Sequence, residues 1–267
     1  MRVLFIGDVV GRPGRRGLAA ILPGLRSELA IDVIIANGEN AANGRGLTSR
    51  TAKEMFKAGV DIISSGNHIW DQREIIEELD GERPILRPAN YPSGTPGRGI
   101  LRHKGLTVLN LQGRTFMANI DCPFRTADAL LEAHPESPII VDMHAEATSE
   151  KQAMGWYLDG RVSAVLGTHT HVPTADTRVL PRGTAYVTDA GFSGSRDSVL
   201  GFEVSASHQL FLSQLPTRLP VAEKCPTVVM NSVLVDIDEY TGRARSIERI
   251  DREHTFADPE NKGDLAD

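Results

Sequence analysis

The chain has 267 residues, a formal net charge of -6 and two cysteines. That length suits one α/β domain with a sizeable core and no disulfide staple, and the acidic balance speaks against a protein whose main task is coating a nucleic-acid backbone. Cys122 and Cys225 each precede a proline outside any CxxC pair, so they read as reduced thiols rather than a disulfide or a zinc knuckle.

The first element, Val3 to Ile6, is a core strand followed by Gly7-Asp8. It is far too short for a signal segment or a membrane span, and no other stretch is long enough, so a cytoplasmic protein without membrane contact is expected. Pro13 to Ala30 reads helical, with a kink or split expected at Pro23-Gly24. Asp32 to Ala36 is a strand ending in Asn37-Gly38-Glu39-Asn40, Ser49 to Ala58 a helix, Asp61 to Ser64 a strand ending in Gly66-Asn67-His68, and Asp71 to Leu79 a helix. This alternation is the rhythm of a parallel α/β sheet. A hairpin follows over Gly99 to Leu111 around Lys104-Gly105, then a helix over Arg125 to Ala133. Ile139 to Asp142 is a buried strand leading to His144, Ser149 to Leu158 a helix, and Val162 to Leu166 a strand leading to Gly167-Thr168-His169-Thr170-His171. Beyond that the pattern turns antiparallel: Arg178 to Leu180 pairs with Thr184 to Thr188, and Val228 to Ile237 with Ala244 to Ile250. Residues 254–267 are expected to form a mobile tail on a single domain spanning 1–267. The mixed strand connections suggest two packed mixed sheets flanked by helices.

Metal-capable residues stand at five predicted strand ends: Asp8; Glu39 and Asn40; Asn67 and His68; His144; His169 and His171. Parallel strands bring such ends to one sheet edge, where α/β sites form. Carboxylate, amide and imidazole donors together suit iron, manganese or zinc better than calcium. His169 and His171, two apart, would share one side of an extended segment. The remaining histidines, His103, His134, His208 and His254, lie in polar or helical settings and read as surface residues.

In order, Gly7-Asp8, Gly38-Glu39-Asn40, Gly66-Asn67-His68, His144 and Gly167-Thr168-His169-Thr170-His171 resemble the calcineurin-like metallophosphoesterase superfamily, and more closely its YmdB-type branch. The stretches that carry the closer likeness are Ile6 to Gly14, Asn37 to Gly44, Gly66 to Asp71, Asp142 to Lys151 and Gly167 to Thr174. The superfamily's common first-strand Asp-x-His has Val10 in its third position here, and its common bridging Asp is Glu39; the YmdB-type branch shares both changes. The resemblance implies a four-layer α/β/β/α sandwich with a dinuclear centre. Asp8, Glu39, Asn40 and His171 would hold one metal, and Glu39, Asn67, His144 and His169 the other. The first site, lacking a first-strand histidine, is oxygen-rich, which favours iron or manganese, with zinc compatible.

What the resemblance implies is a metal-dependent phosphodiesterase acting on cyclic nucleotides such as 2',3'-cyclic nucleoside monophosphates. A hydroxide bridging the two metals would attack phosphorus, and His68 resembles the superfamily's leaving-group acid. Asp71 could orient His68 but reads better as the cap of the next helix. Arg12, Arg45, Arg50 and Arg114 are candidate phosphate contacts; Asn43-Gly44-Arg45-Gly46 could cradle an anion or form a plain turn; Asn90 reads as a turn residue. Two readings compete: a phosphomonoesterase or nucleotidase on the same site, and a nucleotide-sensing or RNA-associated regulatory protein. The acidic charge gives RNA no support as a partner unless the fold builds a basic groove. A homo-oligomer is compatible with the sequence.

Overall fold

The computed structural model describes residues 1–135 and 138–257. In chain order the strands are β1 (Arg2–Ile6), β2 (Asp8–Val9), β3 (Val33–Asn37), β4 (Ile62–Ser64), β5 (Ile100–His103), β6 (Leu106–Gln112), β7 (Ile139–His144), β8 (Ala164–Thr168), β9 (Arg178–Val179), β10 (Ala185–Val187), β11 (Phe192–Ser195), β12 (Thr227–Met230), β13 (Ser232–Ile237), β14 (Ala244–Arg249) and β15 (Arg252–Thr255). The helices are α1 (Gly11–Glu28), α2 (Ser49–Ala58), α3 (Ile75–Leu79), α4 (Pro123–Ala133), α5 (Thr148–Tyr157) and α6 (Val204–Ser213).

One sheet has the order β14-β13-β1-β3-β4 and a second β5-β6-β7-β8-β10-β9. Within them β1, β3 and β4 run parallel, as do β6, β7, β8 and β10, so their C-terminal ends gather at common edges. Alternation along each strand feeds two cores at once. Val3, Phe5, Val33 and Ile35 pack with Val108, Ile140, Leu166 and Val187 in one apolar cluster shared by the two sheets. Leu4, Ile6 and Ile34 point the other way, onto Leu18, Leu22 and Leu25 of α1 and Met55 of α2. Leu109, Val141 and Val165 pack with Ala127 of α4 and Met154 of α5 in a third cluster.

Among the described residues the expected two sheets become three, because two strands break and continue in a new sheet, β15-β12-β11-β2. Gly7 separates β1 from β2, and Asn231 separates β12 from β13; Gly7 N–H donates to the Asn231 carbonyl at 3.1 Å. A Cβ at Gly7 would lie 1.9 Å from the Gly191 carbonyl oxygen, so only glycine lets the chain turn there. The break points Asp8 out of the first sheet.

Several boundaries differ from expectation for physical reasons. Helix α1 runs through Pro23 without splitting. Its buried face continues on both sides, in Leu18, Leu22 and Leu25, and outweighs the hydrogen bond that proline removes. Part of the segment expected as a tail from 254 is ordered instead: Arg252–Thr255 pairs antiparallel with β12, while residues 258–267 lie outside the described residues. Helix α6 is not among the expected elements; Ser207 is its one buried residue, so no apolar periodicity marks it. The Lys104-Gly105 hairpin is as expected, with both residues left-handed (φ 50° and 79°). No helix among the described residues is long and apolar enough to cross a membrane.

Candidate active site

The strand ends converge. After β3, the Asn37 side-chain oxygen accepts from Glu39 N–H at 3.1 Å, which fixes the turn that presents Glu39. After β4, Gly66 passes so close to the site that a Cβ there would lie 2.1 Å from His144 Nε2, and Asn67 follows it into the cluster. His144 ends β7 and is fully buried. After β8 the chain bends sharply: His169 and His171 both adopt left-handed backbone, φ 100° and 64°. The expected extended His-x-His geometry is therefore not formed. Strain of this kind, about 1–3 kcal/mol per residue, persists where surroundings enforce it. Here a buried ion pair does so. Lys151 Nζ binds Asp189 Oδ2 at 2.8 Å and the Thr168 carbonyl at 3.0 Å, while Asp189 Oδ2 accepts from Thr170 N–H at 3.1 Å and its hydroxyl at 2.8 Å.

At the centre, His144 Nε2 faces Asn67 Oδ1 and His169 Nδ1 at 3.0 Å each and Glu39 Oε1 at 3.2 Å. Neighbouring hydrogen bonds fix where the ring's proton sits. Thr168 Oγ1 donates to Asp142 Oδ1 at 2.7 Å, so its lone pair accepts from His144 Nδ1–H at 2.9 Å. That hydrogen-bonding chain leaves Nε2 as the lone-pair nitrogen of the neutral ring. His169 Nε2–H faces Glu146 Oε2 at 3.1 Å, which leaves its Nδ1 lone pair inward as well, so with both rings neutral four electron-rich atoms meet, the arrangement a cation satisfies. Glu39, His144 and His169 place ligand atoms within 4.8 Å of one another and could hold a metal ion. Without one, burial opposes charge on His144, but Glu39, Asp8 and Asp142 outweigh it and raise its pKa to about 9. Burial would raise the Glu39 pKa, but His144 and His68 bring it down to about 2. Burial and the neighbouring His144 push His169 down to about 3.

Beside this cluster lies a second set. Asp8 is buried; its Oδ2 accepts from His169 N–H at 3.0 Å, and its Oδ1 has no hydrogen-bond partner among the described residues, lying 3.8 Å from His171 Nε2. An orphaned buried carboxylate oxygen is costly without a counter-charge, and burial raises the Asp8 pKa. His171 Nδ1 donates to the Leu200 carbonyl at 3.0 Å, which again leaves Nε2 with its lone pair inward. Asn40 Nδ2 reaches both Glu39 Oε1 and His171 Nε2 at 3.2 Å. A half-turn of that amide would present Oδ1 to the same point. The residues fit a pair of metals: the donors are oxygen and imidazole nitrogen, and the unpartnered Asp8 oxygen and inward lone pairs have a use.

The cluster floors a cleft of about 640 Å³. His68 is in its wall, and His68 N–H donates to Glu39 Oε2 at 3.0 Å. The ring's Nδ1 pairs with Asp71 Oδ2 at 2.9 Å. This corrects the helix-cap reading of Asp71: α3 begins only at Ile75. Among the candidate arginines, Arg45 lines the cleft, whereas Arg12 and Arg50 lie in a neighbouring groove and Arg114 is held through its backbone by Glu150. Gly44 and Arg45 spend their N–H groups on the Asn40 and Ala42 carbonyls, which favours a turn over an anion cradle. Asn90 is a buried stitch, bonded to the Gln112 and Asp121 backbone. Sequence reasoning missed Phe202 and Arg218 in the cleft wall, and Asn37, Asp142 and Thr168 behind His144.

The family model described as YmdB-like protein matches residues 4–250. The 2',3'-cyclic-nucleotide 2'-phosphodiesterase of Bacillus subtilis (strain 168) is 50% identical, covering 94% of this chain and 96% of that protein. A crystal structure of a protein from Thermus thermophilus, described as hypothetical, superposes with a TM-score of 0.89 at 45% identity over 95% of this chain and 99% of that one. The crystal structure of a protein described as a novel phosphatase, from Mycoplasma pneumoniae, superposes with a TM-score of 0.89 at 31% identity over 97% of this chain and 95% of that one. Matched over nearly its whole length by the family model and covering nearly all of these relatives, the chain belongs to the YmdB-like family of phosphoesterases.

Proposed function

We propose that this chain is a dinuclear metal-dependent phosphodiesterase that opens the ring of 2',3'-cyclic nucleotides. The observation that carries the reading is the convergence on Glu39: its Oε1 faces both His144 Nε2 and Asn40, and its Oε2 is held by the His68 N–H. Asp8, Glu39, Asn40 and His171 would hold one metal, with Glu39, Asn67, His144 and His169 on the other. Iron or manganese fits the oxygen-rich first set, and zinc is the alternative. When bound, such a pair supplies Lewis acidity toward the phosphoryl oxygens and an activated water at neutral pH.

The chain's own groups do the rest. Asp71 accepts from His68 Nδ1–H and so orients the ring, leaving Nε2 to carry a proton to the departing ribose oxygen. Arg45 and Arg218 offer positive charge to the phosphate, and Phe202 offers an apolar face to the base or ribose. Glu39, buried with a pKa of about 2, stays ionised throughout. The B. subtilis relative bears the name of this activity, which supports the same substrate class here. We further propose one domain in which the three apolar clusters separate the layers of an α/β/β/α sandwich, acting in the cytoplasm.

The test is a hydrolysis screen across 2',3'-cyclic and 3',5'-cyclic nucleotides and nucleoside monophosphates, each with iron, manganese or zinc. The expected result is metal-dependent opening of 2',3'-cyclic substrates. Turnover confined to the monophosphates would replace this reading with a nucleotidase.

A further inference from the structure

A second depression of about 920 Å³ adjoins the cleft, and Asn43 lines both. Its walls are α1 and α2, which contribute Arg12, Arg15, Arg16, Arg50 and Lys57. Arg15 is committed to Glu54 at 2.6 Å, which neutralises one of the groove's two carboxylates; the other is Glu223. Arg12, Arg16, Arg50 and Lys57 are exposed and form no ion pair among the described residues. Arg16 instead stacks over the Phe256 ring, 3.9 Å from its centroid. Lys53 adds a further exposed cation beside Arg50 and Lys57. On a chain of net charge -6 this concentration of free cations on one face is a departure from the average surface.

A 2',3'-cyclic phosphate exists only on a ribose, and it arises when an RNA 2'-oxygen displaces the next nucleotide from its own phosphodiester. Such groups therefore end RNA fragments as well as mononucleotides. We infer that the groove between α1 and α2 is a backbone-binding subsite, and that the substrate class includes oligoribonucleotides ending in a 2',3'-cyclic phosphate. The inference rests on the phosphodiesterase reading above. The terminal ring sits at the metal-ligand cluster, and the preceding phosphates run past Asn43 onto Arg12, Arg50 and Lys57. The reaction is one hydrolysis: a water oxygen bonds to phosphorus, the bond from phosphorus to the ribose 2'-oxygen breaks, and that oxygen takes a proton. A terminal 3'-phosphomonoester remains, and no further reactant is needed.

The experiment compares kcat/KM for 2',3'-cyclic adenosine monophosphate with that for a tetra-adenylate ending in a 2',3'-cyclic phosphate, over a series of potassium chloride concentrations. Wild type is set beside the Arg12→Gln, Arg50→Gln, Lys57→Gln triple variant. The oligonucleotide should be the better substrate by about tenfold or more at low salt, with an advantage that shrinks as salt rises. In the variant, mononucleotide turnover should persist, showing that the fold is intact, while the salt slope for the oligonucleotide flattens by about 2, from roughly 0.7 per lost phosphate contact. Mononucleotide turnover with no oligonucleotide advantage, or with an advantage that the variant retains, overturns the subsite alone. Absence of turnover on both substrates overturns the phosphodiesterase reading and the subsite with it.

Discussion

His68 serves the site through two separate groups. Its backbone N–H holds Glu39 Oε2 at 3.0 Å, and its ring meets Asp71 at 2.9 Å. Replacing the side chain leaves the backbone contact in place, so His68→Ala should keep its metals. Its rate on an alkyl phosphodiester should fall by about 10²–10⁴, the usual worth of a positioned acid, and by much less on an aryl ester, whose phenolate leaves unprotonated. Metal content measured beside both rates checks this; equal losses on the two esters would move His68 from acid to substrate positioning. Asp71→Asn should show the same pattern more weakly. His144 carries a pH signature. Its folded-state value of about 9 lies above the ordinary ~6.5. Protonation therefore stabilises chelator-treated protein fully below pH ~6.5, and that contribution disappears as pH rises through about 9. Melting temperature should fall across this window in chelated protein and far less in metal-loaded protein, where the cation has replaced the proton. Parallel slopes in the two forms would show that no metal meets His144.

The elements explain which parts of this site were legible in the sequence. Asp8, Glu39, Asn67, His144, His169 and His171 each follow a short apolar run, and parallel pairing of β1 with β3, of β3 with β4, and of β7 with β8 delivers those ends together. The cleft wall was not legible. Phe202 and Arg218 flank α6, whose apolar residues Phe211 and Leu212 face solvent and leave no periodic signal. Asp71 lies four residues before its nearest helix and could be read as a cap only because helix starts are poorly marked by sequence. The residues behind His144 were equally silent, since Asn37 and Thr168 look like ordinary strand residues until β3 and β8 approach β7. Packing at the strand ends also makes a prediction. Gly66→Ala would place a methyl group 2.1 Å from His144 Nε2 and 2.5 Å from Glu39 Oε2. Metal content should fall severely although every ligand remains, and elemental analysis of the folded variant would show it; full occupancy would mean that the 66–67 turn can move aside. Lys151→Met leaves Asp189 buried without its cation, which should cost about 3–5 kcal/mol in chemical denaturation.

At the scale of the molecule, the proposed metal site would draw its ligands from segments as far apart in the chain as Asp8 and His171. Cations that bind the folded chain and not the unfolded one stabilise it by mass action, about 2.7 kcal/mol at a hundredfold excess over Kd. Chelation should therefore lower the melting temperature, and adding back manganese or iron should restore it together with activity. In the proposed phosphodiesterase, Glu39 is shared by two metals. The most direct test of this sharing is elemental analysis paired with turnover of 2',3'-cyclic adenosine monophosphate in wild type, Glu39→Ala and His171→Ala. Wild type should hold two metals per chain, Glu39→Ala should lose both metals and its turnover, and His171→Ala should lose mainly one. Full metal occupancy or undiminished turnover in Glu39→Ala would contradict it.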